Sequence, residues 1–203
     1  EFRETRETEF LKELMRDFNG VLVSDFYTGY DSIDCKQQKC LIHLIRDLNG
    51  DFLKHQFDIE FADIVKEFGK LLREIIATID KFGLKKIHLN KHKKNVEIFY
   101  SKIISKNYVS ELAVSYKKRF VKHKDKLFLF LGEDNIPWNN NNAEHAIKPF
   151  AKWRKRNTVN LSPENIQNHL ILLSILQTCK YRGLNFFEFL KSGEMSIFEY
   201  QKK

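Results

Sequence analysis

Apolar residues recur along this chain mostly at helical intervals. Over residues 57–82, Phe61, Ile64, Val65, Phe68, Leu71, Leu72, Ile75, Ile76, Ile79 and Phe82 step by threes and fours, and Gly83 follows. That spacing predicts one long amphipathic helix. A second stretch over about 95–122 turns Ile98, Phe99, Ile103, Leu112, Tyr116 and Phe120 inward, with Asn107 as the point of interruption. The two are expected to pack as an antiparallel hairpin. Shorter helices are predicted over 3–18, closed by Asn19-Gly20, and over 37–53, with Leu41, Leu44, Ile45 and Leu48 on one face. Ser162-Pro163-Glu164 joins an N-cap, a first-turn proline and an acid, and so starts a helix that runs to about Tyr181. Gly183 caps it, and Asn185 opens a last short helix through Phe186, Phe187 and Leu190.

Strand signals are few. Val21-Leu22-Val23 is a fully apolar run of the kind found in buried parallel or mixed sheets. It ends at Ser24-Asp25, the end of a strand where open α/β sheets carry chemistry; Tyr27, Gly29 and Tyr30 follow in a turn. Leu127 to Leu131 fits either a buried strand or a helix end. The basic run Lys85 to Lys94 reads as a loop. The pattern predicts a mostly α protein with a small α/β remnant, without internal repeats or low-complexity linkers.

Composition narrows the setting. With 203 residues, 42% of them hydrophobic, the chain can build one sizeable core or a core plus a subdomain. A net charge of +8 favours a polyanionic partner, nucleic acid before membrane. Lys, Asn, Ile and Phe also rise together in proteins of AT-rich genomes, so charge alone does not establish DNA binding. No apolar run approaches the roughly 20 residues that span a bilayer, and no signal peptide opens the chain. Three cysteines do not make a disulfide framework, which suits a reducing cytosol.

The segment Ile136 to Pro149 carries the strongest chemical signal. Asn139 to Asn142 end a loop, and asparagine is among the best N-caps. Glu144 follows on the first helical turn, where the helix dipole favours an anion. Lys148, Lys152, Arg154, Lys155 and Arg156 surround it. A carboxylate among cations can hold a divalent metal beside a phosphodiester, so Asp25 and Glu144 form the leading pair. Read structurally, they are a turn-capping Asp and a solvated Glu. Lys152 to Thr158, with Trp153 embedded, suits phosphate contact with base or sugar packing; the alternative is a solvated helix end. Cys40 and His43, with Cys35 and His55, offer four zinc donors, but the second tight pair of a structural zinc site is missing, so packing is the better reading. Ser24 and Ser162 lack a nucleophile motif, and no glycine-rich phosphate loop occurs. Tyr27 and Tyr30 lack the Arg/His partners of a recombinase and read as aromatic packing.

Three blocks resemble the insertion-sequence-66 family of transposases, DDE enzymes with a ribonuclease-H-like core. Val21 to Tyr30 resembles the strand with the second catalytic Asp. Cys40-Leu41-Ile42-His43-Leu44-Ile45-Arg46 resembles the Cys-x-x-His-x-x-Arg block, and Ile136 to Pro149 the block with the third catalytic acid. Arg154-Lys155-Arg156-Asn157 and Gly183-Leu184-Asn185-Phe186 resemble downstream family segments. The chain departs from the family at Asn139, usually Asp, and at His145, usually Arg, a less constant phosphate partner once replaced by histidine.

The resemblance implies a partial ribonuclease-H-like core interrupted by a helical insertion. Residues 1–34 would belong to the core, 35–126 to the insertion, 127–160 to the catalytic Glu loop, helix and basic cluster, and 161–203 to C-terminal helices. Asp25 and Glu144 would be catalytic and would bind two Mg²⁺ or Mn²⁺ ions in the intact enzyme. His145, Lys148, Lys152, Arg154, Lys155 and Arg156 would contact double-stranded DNA, both transposon ends and target. A homo-oligomer in the bacterial cytoplasm, at the nucleoid, is implied. By the same resemblance, the chain would start at the helix that follows the first three core strands. The first catalytic Asp would then be absent, Val21–Val23 would lack strand neighbours, and the chain alone is expected to be inactive. Two alternatives are a non-catalytic DNA-binding remnant and a structure-selective nuclease of the same core fold.

Overall fold

The apolar run Val21–Ser24 forms strand β1 and pairs in parallel with β2, Lys36–Lys39, in the register Val21–Lys36 to Ser24–Lys39. The computed structural model describes residues 8–156 and 162–200. Residues 3–7 of the expected first helix, and Asn157 and Thr158 of the basic cluster, lie outside the described residues. Contacts divide the described chain into two compact units, one up to Asn140 and one from Asn141 onward.

β2 corrects the sequence reading twice. It gives β1 a hydrogen-bonded neighbour, and it takes the start of the helix expected over 37–53, which begins as α2 only at Leu41 (Leu41–Lys54). The strand is Lys-Gln-Gln-Lys, yet Gln37, Gln38 and Lys39 are buried. Buried polar groups must find partners, and these do. Gln37 Nε2 donates to the carbonyls of Tyr30 and Ile33 at 2.7 and 3.0 Å. Gln38 Nε2 donates to the carbonyls of Leu127 and Lys39, each at 2.8 Å, while its Oε1 accepts the Phe130 N–H at 3.1 Å.

The first unit is otherwise helical. Its described part begins with α1, Thr8–Leu14, which ends before the Phe18 that the spacing predicts. The long helix is α3, Ile59–Phe82, with Phe61, Ile64, Phe68, Leu71, Leu72 and Ile75 buried on one stripe. The second expected stretch is two helices, α5 (Lys93–Ser105) and α6 (Glu111–Lys122), broken around Asn107, and α3 packs against both. Their starts are tied together. Asp58 caps α3 by accepting the Phe61 N–H, Ser110 caps α6 by accepting the Ala113 N–H, and the Ser110 hydroxyl donates to Asp58. Glu60 accepts the N–H groups of Val109 and Ser110.

The basic run 85–94 is not a loop. It forms the short helix α4 (Lys86–Leu89), a 3₁₀ turn and the start of α5. Two residues of the run anchor it: Leu89 is fully buried, and the buried His92 Nε2 lies 2.8 Å from Thr78 Oγ1. The apolar run 127–131 is a helix end: α7 (Lys124–Leu127) followed by a 3₁₀ turn, with Leu127, Phe128, Phe130 and Leu131 buried.

The second unit holds α8 (Asn141–Arg156), α9 (Pro163–Tyr181) and α10 (Phe186–Ser192). Ser162 caps α9 and Asn185 caps α10, as expected. Gly183 adopts φ +65°, where a side chain would be strained. Trp153 of α8 stacks on His169 of α9, with ring centres 3.9 Å apart, and the Tyr181 hydroxyl donates to the Asn142 carbonyl at 2.9 Å.

Phe68 meets Phe99, Phe120 and Phe128 at 5.8, 5.1 and 6.5 Å, which joins α3, α5, α6 and the 127–131 segment. Phe68→Ala is expected to destabilise the protein by about 3–5 kcal/mol in urea unfolding. Phe57, 98% exposed, serves as the control: Phe57→Ala should shift stability by no more than about 0.5 kcal/mol.

Candidate catalytic strand end and basic helix

Parallel pairing puts the C-terminal ends of β1 and β2 side by side, and Asp25 is the first residue past β1. Its half-buried carboxylate is oriented locally, because Oδ1 accepts the Tyr27 N–H at 2.9 Å. The next residue, Phe26, packs against the Arg119 guanidinium, 4.3 Å from its ring centre, and against the His123 ring at 5.2 Å. Arg119 is itself held by Asp47 at 2.7 Å. Tyr27 and Tyr30 pack edge to face at 5.6 Å, the aromatic role expected of them.

The asparagine loop docks on the neighbouring strand end. Leu41 N–H donates to the Trp138 carbonyl at 3.0 Å, and the Asn140 N–H meets Cys40 Sγ at 3.5 Å. Cys40 N–H in turn donates to the Ser24 carbonyl at 2.7 Å. Cys40 is thus a buried joint between strand end and loop, and it begins α2 as its N-cap residue. All three cysteines are free thiols.

Four further charged or ionisable groups lie behind this strand end. Lys39 is completely buried, with Nζ 3.1 Å from Asp31 Oδ1 and 3.3 Å from Ser24 Oγ. Lys126 Nζ lies 3.3 Å from the same Asp31 oxygen and 3.0 Å from Gln37 Oε1. Burial works to raise the Asp31 pKa, but hydrogen bonds and charge from Lys39 and Lys126 outweigh it and hold the carboxyl below its usual range. His123 is pushed down to about 4, chiefly by burial. Lys122, Lys39 and Lys126 add to the shift, and only Asp31 opposes it.

Glu144 lies on the first turn of α8, the helix that the asparagine run was expected to start. His145, Lys148, Lys152, Lys155 and Arg156 are exposed; at 3.6 residues per turn they share roughly a third of the helix circumference. Arg154 is exposed on the opposite side. One face of Trp153 stacks on His169, which packs α8 on α9. Pro149, inside α8, cannot donate to the His145 carbonyl.

Sequence reading singled out Asp25 and Glu144 and gave no sign of the buried group of Asp31, Lys39, His123 and Lys126 behind the strand end. The Lys36–Lys39 quartet has no apolar alternation to mark it as a strand, so nothing in the pattern signals that Lys39 is buried.

The donors here suit a hard cation. Mg²⁺ and Mn²⁺ take oxygen ligands, and the strand end offers the Asp25 carboxylate and Asn140 Oδ1, which is buried with no hydrogen-bond partner among the described residues. Among those residues, no three His, Cys, Asp or Glu side chains cluster as a metal site. Also among them, no helix is long and apolar enough to cross a membrane.

The described residues thus form a mostly helical chain with a parallel strand pair, an acid just past its end and a cationic helix in the following unit. The family model described as Transposase IS66 family matches residues 1–167. The chain belongs to that family, so its class of function is DNA transposition and DNA is its substrate. No curated protein and no solved structure matches the chain.

The depressed His123 pKa has a sign that can be checked. The unfolded imidazole takes up a proton near its ordinary 6.5, whereas the folded one does so only near 4. Stability is therefore full above about pH 6.5 and falls as pH drops to about 4. At 1.36 kcal/mol per unit, the loss should be about 3 kcal/mol. His123→Phe should flatten this part of the stability curve, measured by urea unfolding at pH 7 and pH 4.5.

Proposed function

We propose that Asp25 and Glu144 are two of the carboxylates of a DDE active site of the ribonuclease-H-like type, which cuts and joins transposon ends by two-metal phosphoryl transfer. The observation that carries this reading is the strand end itself. Asp25 stands there with its carboxylate oriented by the Tyr27 N–H, and the loop that leads to Glu144 is bonded to the adjacent strand end through Trp138 and Asn140. Family membership supports the same chemistry, since DDE transposases use divalent metals.

When bound, Mg²⁺ or Mn²⁺ would supply an activated water or 3′-hydroxyl and stabilise the leaving oxygen. Asp25 would hold both ions and Glu144 one of them. Asn140 Oδ1 is a neutral oxygen donor beside Asp25's strand end. The exposed face of α8, His145 with Lys148, Lys152, Lys155 and Arg156, would grip phosphates and fix the DNA relative to the acids, without reading sequence. Arg154, on the other side of the helix, would meet a different stretch of backbone. A homo-oligomer would bring the two transposon ends together in the cytoplasm.

This chemistry needs a third carboxylate. The purified 203 residues should bind DNA but show no metal-dependent strand transfer; robust transfer would refute the assignment. In a chain extended by strands that carry the further acid, Asp25→Ala and Glu144→Ala should each abolish cleavage, with DNA affinity unchanged in a filter or fluorescence assay. Intact cleavage in either variant would remove that residue from the site. Replacing Lys148, Lys152 and Lys155 together by Ala should weaken DNA binding equally across sequences and reduce the slope of log affinity against log salt by about 2–3.

A further inference from the structure

We infer that Lys39 is a positioning residue for Asp25, acting through Ser24; this rests on the reading of Asp25 as a metal ligand. Ser24 and Lys39 are register partners across the parallel strand pair. The Lys39 ammonium has donors and no acceptor, so at 3.3 Å the Ser24 hydroxyl must accept from it. That leaves the single hydroxyl hydrogen to donate, and it points to the Asp25 carbonyl at 3.1 Å. The direction of the relay is thus set by chemistry: Lys39 to Ser24 to the peptide of Asp25. That peptide is held at its oxygen by Ser24, and the Asp25 carboxylate is held by the Tyr27 N–H.

Pairing with Asp31 does not by itself account for Lys39. Asp31 already has Lys126, and a buried ammonium is costly to desolvate. A neutral donor would satisfy Ser24. What Lys39 adds is charge: two ammonium groups against one carboxylate leave one net positive charge behind the strand end that bears Asp25. A fixed cation there offsets the mutual repulsion of the acids that a two-metal site must bring together. Lys39 thus serves both geometry and charge balance without touching the reacting atoms.

The test uses the 203-residue chain with amide hydrogen exchange and Mn²⁺ titration. Lys39→Met and Ser24→Ala should each speed exchange of the Tyr27 amide about tenfold, the equivalent of roughly one hydrogen bond, while core amides such as Leu44 and Phe68 stay protected. Each should weaken Mn²⁺ binding, and the double variant should bind no more weakly than Lys39→Met alone, because the two act in series. Ser24→Ala removes one oxygen and no charge, so it keeps the test valid if Lys39→Met fails to fold. Wild-type Tyr27 exchange, or losses that simply add in the double variant, would overturn the relay. Asp25→Asn separates the two readings. If it abolishes Mn²⁺ binding while Lys39→Met and Ser24→Ala leave binding intact, the relay alone fails. If Asp25→Asn leaves Mn²⁺ binding unchanged, the metal role of Asp25 fails and the proposed role of Lys39 falls with it.

Discussion

A strand without a single apolar side chain is the constraint on which the first unit depends. β2 is buried, so Gln37, Gln38 and Lys39 must each find partners inside the protein. Those partners come from four places: the turn at Tyr30–Ile33, the end of β1, α7 and the 127–131 segment. Losing one bond leaves a buried amide or ammonium unsatisfied, which costs more than a typical hydrogen bond contributes. The strand therefore acts as a polar key that admits one arrangement of its surroundings, where an apolar strand would tolerate several.

The helical body supplies what that key cannot. Phe68 and its neighbours bury the faces of α3, α5 and α6, and α6 brings Arg119 and His123 against Phe26. The residue after Asp25 is thereby clamped by the core, while the residue before it is tied to β2. An acid at the end of a short, two-stranded sheet would otherwise ride on a frayed edge. Here the rigidity comes from helices and from buried polar bonds rather than from more strands.

The chain belongs to the IS66 transposase family. Two departures from the family pattern look different once the geometry is known. Asn139 stands in a loop whose neighbours are fastened at the strand end, Trp138 by its carbonyl to the Leu41 N–H and Asn140 by its N–H to Cys40 Sγ. His145 is exposed on the same face as Lys148 and Lys152. An arginine there would add a constant charge, whereas histidine adds one only when protonated.

Local signals determined most of the long helices. The apolar stripe of α3, the break near Asn107, the caps at Ser162 and Asn185 and the turn at Gly183 are local signals, and each appears where the spacing put it. The strand end before Asp25 and the helix start before Glu144 were legible because both are also local features. The run 85–94 was misread because its charges hide the two side chains that anchor it, Leu89 and His92. β2, Lys39, Asp31 and Lys126 were invisible for a deeper reason: a polar strand is stable only through partners distant in the chain, such as Leu127 and Phe130 for Gln38. Local pattern specifies what a segment can do by itself, and burial of a charge is decided only when the rest of the chain closes around it.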